Sequence, residues 1–203
     1  MVFKKRYSVP ELYRILVKGL RALPRLLSAR MSGLVSARLA ERIMLAVTEV
    51  NGCEVCSYAH ARMALEMGLG AEEVRSLLAG NTGAVPADEA IAIAFAQQYA
   101  DSRGSPSRES WQRLVKTYGT TKARGILGAA RVMMIGNAYG IAWSAFTSRL
   151  RGRPVAKSSL SYELVMLFSV LVHPPVALVH AAVSGLLGVP IIGWGGPPED
   201  AGR

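Results

Sequence analysis

Residues 41–60 read Glu41-Arg-Ile-Met-Leu-Ala-Val-Thr-Glu-Val-Asn51-Gly52-Cys53-Glu-Val-Cys56-Ser-Tyr-Ala-His60. The apolar positions Leu39, Ile43, Leu45, Val47 and Val50 predict a helix that begins near Ser36, and Asn51-Gly52 ends it and caps the next one. A second helix then runs from Cys53 to Met67. On it Cys53, Cys56 and His60 stand at i, i+3 and i+7, so all three project from one face.

That spacing has a chemical consequence. Sulfurs in the first turn of a helix meet unpaired amides and the positive end of the helix dipole, which favour the thiolate. Two cysteines three apart close into a disulfide with little backbone movement, the step a dithiol catalyst repeats in every cycle. His60, one turn beyond Cys56, is placed to take its proton, which makes Cys56 the attacking thiol and Cys53 the resolving one. Two other readings of the same residues stay open. The cysteines are inert core residues, or Cys53, Cys56 and His60 bind zinc with Glu41 as a fourth ligand.

Outward from this stretch the chain continues to read as helix. Before it, Leu12, Ile15, Leu16, Leu20, Leu23, Leu26 and Leu27 recur at helical spacing between arginines and lysines, a basic amphipathic helix over Val9 to Arg30 bent or broken near Pro24. After it, Ala71 opens a short helix through Leu78, and Gly80-Asn81-Thr82-Gly83 is a turn. Asp88 is expected to cap a helix to Tyr99, and Ser107 one to Tyr118. Thr120 or Thr121 starts a last long helix toward Leu150, in which Gly125, Gly128, Gly136 and Gly140 allow close packing. Trp111 and Trp143 are read as core. No alternating pattern with hairpin signals occurs, so the expected class is all-α.

Beyond Arg149-Leu-Arg-Gly-Arg-Pro-Val-Ala-Lys157 lies the most apolar part, Leu164 to Val189, interrupted by His173-Pro174-Pro175. The prolines predict a hairpin of two helices, each too short to span a bilayer alone, docked on a neighbouring subunit or shallowly on a membrane. His173 and His180 are read as incidental.

Charge is unevenly placed. The chain of 203 residues carries a net charge of +10, residues 1–42 hold ten basic and two acidic side chains, and residues 43–148 sum to zero. No recognition-helix frame accompanies the arginines, so no nucleic-acid partner is expected, whereas an anionic membrane surface fits the basic ends. The N-terminus has no apolar stretch before Pro10 and no cleavage signal, and the two cysteines suit a reducing compartment. A cytoplasmic location, peripheral to the membrane, is the expectation.

The run from Glu41 to His60 resembles the signature of the AhpD-like alkylhydroperoxidases of the carboxymuconolactone decarboxylase superfamily: Glu, eleven residues, Cys, two residues, Cys, three residues, His. The resemblance extends over residues 36–150, including Asp88-Glu89 and Gly136-Asn137-Ala-Tyr139. It implies an AhpD-like helical bundle assembling into trimers or hexamers. It implies a peroxide- or disulfide-reducing dithiol with no further cofactor, re-reduced by a lipoyl or thioredoxin-like partner. It further implies that Glu41 and His60 form a proton relay to Cys56, and a carboxylate there would orient the imidazole. The best-studied peroxidases of the family carry another histidine just before the second cysteine, where this chain has Val55, which shortens the relay. The decarboxylases of the superfamily lack the cysteine pair. The resulting partition is an N-terminal amphipathic segment (1–35), an AhpD-like core (36–153) and a hydrophobic arm (154–203). The alternative is a membrane-associated interaction protein with a vestigial redox site.

Overall fold

The structure, a computed structural model, describes residues 4–192. Among these residues there are seven helices and no strand: α1 (Val9–Met31), α2 (Ala37–Asn51), α3 (Glu54–Glu66), α4 (Ala71–Leu78), α5 (Ala90–Asp101), α6 (Arg108–Leu150) and α7 (Leu160–Leu186). Four of them begin at serines whose hydroxyls accept an amide of the first turn: Ser8, Ser36, Ser107 and Ser159. At Ser8 the bond is reciprocal, since the Glu11 carboxylate accepts the Ser8 amide at 2.8 Å.

The core is built on α6. Helix α1 lies along it, with Gly125 and Gly128 facing Ala29, Val35 and Leu26 so closely that a β-carbon at either glycine would clash. Helices α2 and α5 pack on the same helix from the other side, and α3 bridges α2 and α6. The α6 backbone is broken once, at Gly119, whose φ of 74° is left-handed and divides the helix where the sequence expects one segment to end at Tyr118.

Several expectations need correction. Helix α1 runs unbroken past Pro24. Helix α5 begins after Glu89 rather than at an Asp88 cap. There the Asp88 carbonyl accepts the Tyr118 hydroxyl at 2.7 Å, and the Glu89 carboxylate turns away to Arg42 at 3.0 Å. Trp111 packs against Phe95, but Trp143 is half exposed. Glu49, near the end of α2, is mostly buried and paired with Lys4.

The largest correction is the arm. It is one helix of 27 residues, with Pro174 and Pro175 inside it, not a hairpin. The prolines deprive only the Val170 and Leu171 carbonyls of their helical donors, at positions exposed to solvent, so the loss is tolerable. The helix is held along its length by α1 and α6 of the same chain. His173 and His180 both meet Tyr13 of α1, whose hydroxyl lies 2.9 Å from His180 Nδ1. Arg149 grips the fully buried Glu163 with two bonds, 2.7 and 2.9 Å, and ties the end of α6 to the start of α7.

Candidate active site

The two cysteines are joined as a disulfide, with their Cα atoms 5.3 Å apart. Local structure explains the closeness. Gly52 ends α2 in the left-handed region, φ 72°, and packs against the Lys4 backbone, so the chain turns at once into α3. Cys53, in extended conformation, is therefore itself the N-cap of α3; the Asn51-Gly52 pair is not. Its Sγ accepts the Cys56 amide at 3.4 Å, and its carbonyl accepts the Ser57 amide at 2.8 Å.

Cys53 is wholly buried and Cys56 is 8% exposed, so anything entering from solvent meets Cys56 first. The Cys56 sulfur lies 3.6 Å from the Gly136 carbonyl oxygen on α6. One turn further along α3, His60 Nδ1 is 2.6 Å from Glu41 Oε1. The carboxylate is 5% exposed and the imidazole 16%. Glu41 is thus not paired with Arg38 or Arg42, because Arg38 donates to the Met67 carbonyl and Arg42 is shared by Glu73 and Glu89. Its hold on Nδ1 fixes the ring and leaves Nε2 as the nitrogen for exchange with a neighbour. The structure joins Cys53 to Cys56 at the start of α3 and sets His60, one turn further along α3, against Glu41 of α2. Among the described residues no three histidine, cysteine or carboxylate groups converge as metal ligands.

Two further features were not assigned to the site from the sequence. Gly140 of α6 faces the disulfide, and a β-carbon there would stand 2.6 Å from both sulfurs. Beneath the cysteine loop lies a buried polar chain: Tyr7 donates to Asn51 Oδ1 at 2.7 Å, Asn51 to Asn137 Oδ1 at 2.8 Å, and Asn137 to Thr48 Oγ1 at 3.1 Å. Burial holds the Tyr7 phenol protonated well above its ordinary range, so it remains a donor. Asn137 therefore anchors α6 to the end of α2 and has no bond to the dithiol. Glu54 is exposed.

With this geometry in place, a comparison of sequences adds one finding: residues 18–98 are similar to the model of the carboxymuconolactone decarboxylase family. That family includes the AhpD-like proteins and AhpD-like peroxidases. The matched span runs from within α1 to within α5, so it contains Glu41, Cys53, Cys56 and His60, while Gly140 and α7 lie outside it. No curated protein and no solved structure matches the chain.

Proposed function

We propose that this protein is a dithiol oxidoreductase that reduces a peroxide, or a disulfide, at Cys56. The observation that carries the reading is the Cys53–Cys56 disulfide at the start of α3 with the buried His60–Glu41 pair one turn further on. In the reduced protein His60 takes the Cys56 proton. The thiolate attacks one oxygen of a hydroperoxide, the O–O bond breaks, and the alcohol leaves with a proton returned through His60. The Cys56 sulfenic acid is then attacked by Cys53, which forms the observed disulfide and releases water. A protein-borne dithiol, lipoyl or thioredoxin-like, restores the pair by attack on the more accessible Cys56 sulfur. No other cofactor enters this cycle.

The surroundings support an apolar or protein-sized reactant. Val55, Tyr58, Met63 and Leu65 are exposed along α3, the helix that carries the disulfide. These exposed apolar side chains support assembly into trimers or hexamers, as the family resemblance implies. Glu41 acts as orienter and His60 as proton carrier, and replacing either should slow the peroxide step by roughly 10²–10⁴-fold.

Stopped-flow consumption of an organic hydroperoxide tests the reading. The wild type should show a fast phase of one equivalent per chain that is absent from Cys56→Ser, and Cys53→Ser should react once and stop at the sulfenic acid. Equal consumption by wild type and Cys56→Ser would sink it. That outcome favours the reading as an interaction protein with a vestigial site, for which the exposed outer face of α7 speaks.

A further inference from the structure

A second cavity lies away from the disulfide, between α1, the loop after α5, and α6. Its volume is about 230 Å³. Four of its lining side chains are cations, Arg14, Lys18, Arg103 and Arg131, against one carboxylate, Glu11. Glu11 is already engaged: it accepts the Ser8 amide and hydroxyl at 2.8 and 2.7 Å and pairs with Arg103 at 2.7 Å.

The cations are graded in depth. Arg14 and Arg103 are exposed at the mouth, Lys18 is half-buried, and Arg131 at the floor is only 3% exposed. Arg131 donates through Nε to the Tyr99 hydroxyl at 3.0 Å and through Nη2 to the Ile191 carbonyl at 2.8 Å, and among the described residues no carboxylate pairs with it. Lys18 donates to the Gly104 carbonyl at 2.9 Å and likewise has no acidic partner. Burial first, then the charges of Arg131 and Arg14, push the Lys18 ammonium below its ordinary range. A buried arginine without a counter-ion carries an unpaid desolvation cost, and a second cation beside it adds repulsion. An anion seated between them removes both penalties, and Arg131 Nη1, unlike Nε and Nη2, is engaged by no acceptor among the described residues.

We propose that this cavity is a binding site for a small dianion of phosphate size and charge. A volume of about 230 Å³ has room for a phosphate or a short phosphate ester. Arg131 and Lys18 hold the charge, and Arg14 guides entry.

The test is titration of the full chain with inorganic phosphate at constant ionic strength, read by calorimetry and by the thermal midpoint, with chloride as the balancing anion. One saturable site per chain is expected, with a midpoint that rises with phosphate. Lys18→Met and Arg14→Gln should each weaken binding, the former at least tenfold, and Arg131→Gln should abolish it. If Arg131→Gln fails to fold, the other two variants decide, because their side chains are only partly buried. Absence of a saturable response beyond chloride, or unchanged affinity in Lys18→Met, overturns the proposal. Tighter binding of malonate than of phosphate overturns the assignment of the ligand as phosphate-like.

Discussion

At the scale of single residues, Gly140 decides how near α6 can come to the dithiol. A methyl group at that position would sit 2.6 Å from each sulfur, well inside contact distance. Two free thiols can rotate away from such a group, whereas a disulfide fixed to the first turn of α3 cannot. Gly140→Ala should therefore destabilise the oxidised protein by about 1–3 kcal/mol, as overpacking does, and the reduced protein by less. Thermal unfolding with and without reductant measures the difference; equal losses in the two states would show that the glycine serves helix packing alone. The four residues of the redox site were legible in the sequence because their relation is local: i, i+3 and i+7 on one helix, with the carboxylate on the helix just before. Gly140 and Asn51 were not. Each acts through a distance between helices, Gly140 to the sulfurs and Asn51 to Tyr7 and Asn137, and spacing along the chain carries no measure of such distances.

Among the elements, the junction of α6 and α7 depends on one buried carboxylate. Glu163 is fully buried and held by the Arg149 fork, and the bonds from Arg149 keep its carboxyl below the ordinary range in spite of burial. A carboxyl depressed in the folded state contributes stability that is complete above its unfolded value and is lost as the pH falls through the folded one. The acid limb of the stability profile should thus contain a drop below about pH 4.5, the ordinary carboxyl value. Glu163→Gln should lower stability at neutral pH and flatten that limb, and a pH series of thermal midpoints on both proteins would reveal a parallel limb if the pair were not responsible. Helix starts were readable here because serine caps act within three residues, as at Ser36 and Ser107. The course of α7 was not. A double proline argues locally for a break, and it is overridden by the packing of α1 and α6 along the whole helix while water reaches the freed carbonyls.

For the whole molecule, the outer surface of α7 sets the problem of what covers it. Among the described residues two helices are long and apolar enough to cross a membrane by length and composition, but the relevant window of α6 is 72% buried within the fold and that of α7 only 22%. The inner face of α7 carries Ser169, Ala177, Ala181 and Ser184, whereas Phe168, Leu171, Val172, Val179 and Leu186 point outward. The small residues let α7 lie close against α1, and the large ones form an exposed stripe roughly 27 Å long at about 1.5 Å per residue. Helix α7 packs against α1 and α6 of the same chain. Basic residues stand at both ends of the stripe. Arg151, Arg153 and Lys157 precede α7, and at its far end Arg21 bonds to the Val189 carbonyl, with Arg25 and Arg124 lining the same groove. Two chains of net charge +10 meeting by these faces would bring like charges together, while an anionic headgroup layer is complementary to them. We therefore expect the protein to sediment with vesicles containing phosphatidylserine and not with neutral ones, and to lose that binding at high salt. Phe168→Glu combined with Leu171→Glu should reduce vesicle binding at least tenfold without altering peroxide consumption, since both side chains are exposed on α7, a helix that carries none of the site residues. If light scattering instead finds an oligomer that this double variant dissociates, with no difference between the two kinds of vesicle, the stripe is a contact between subunits.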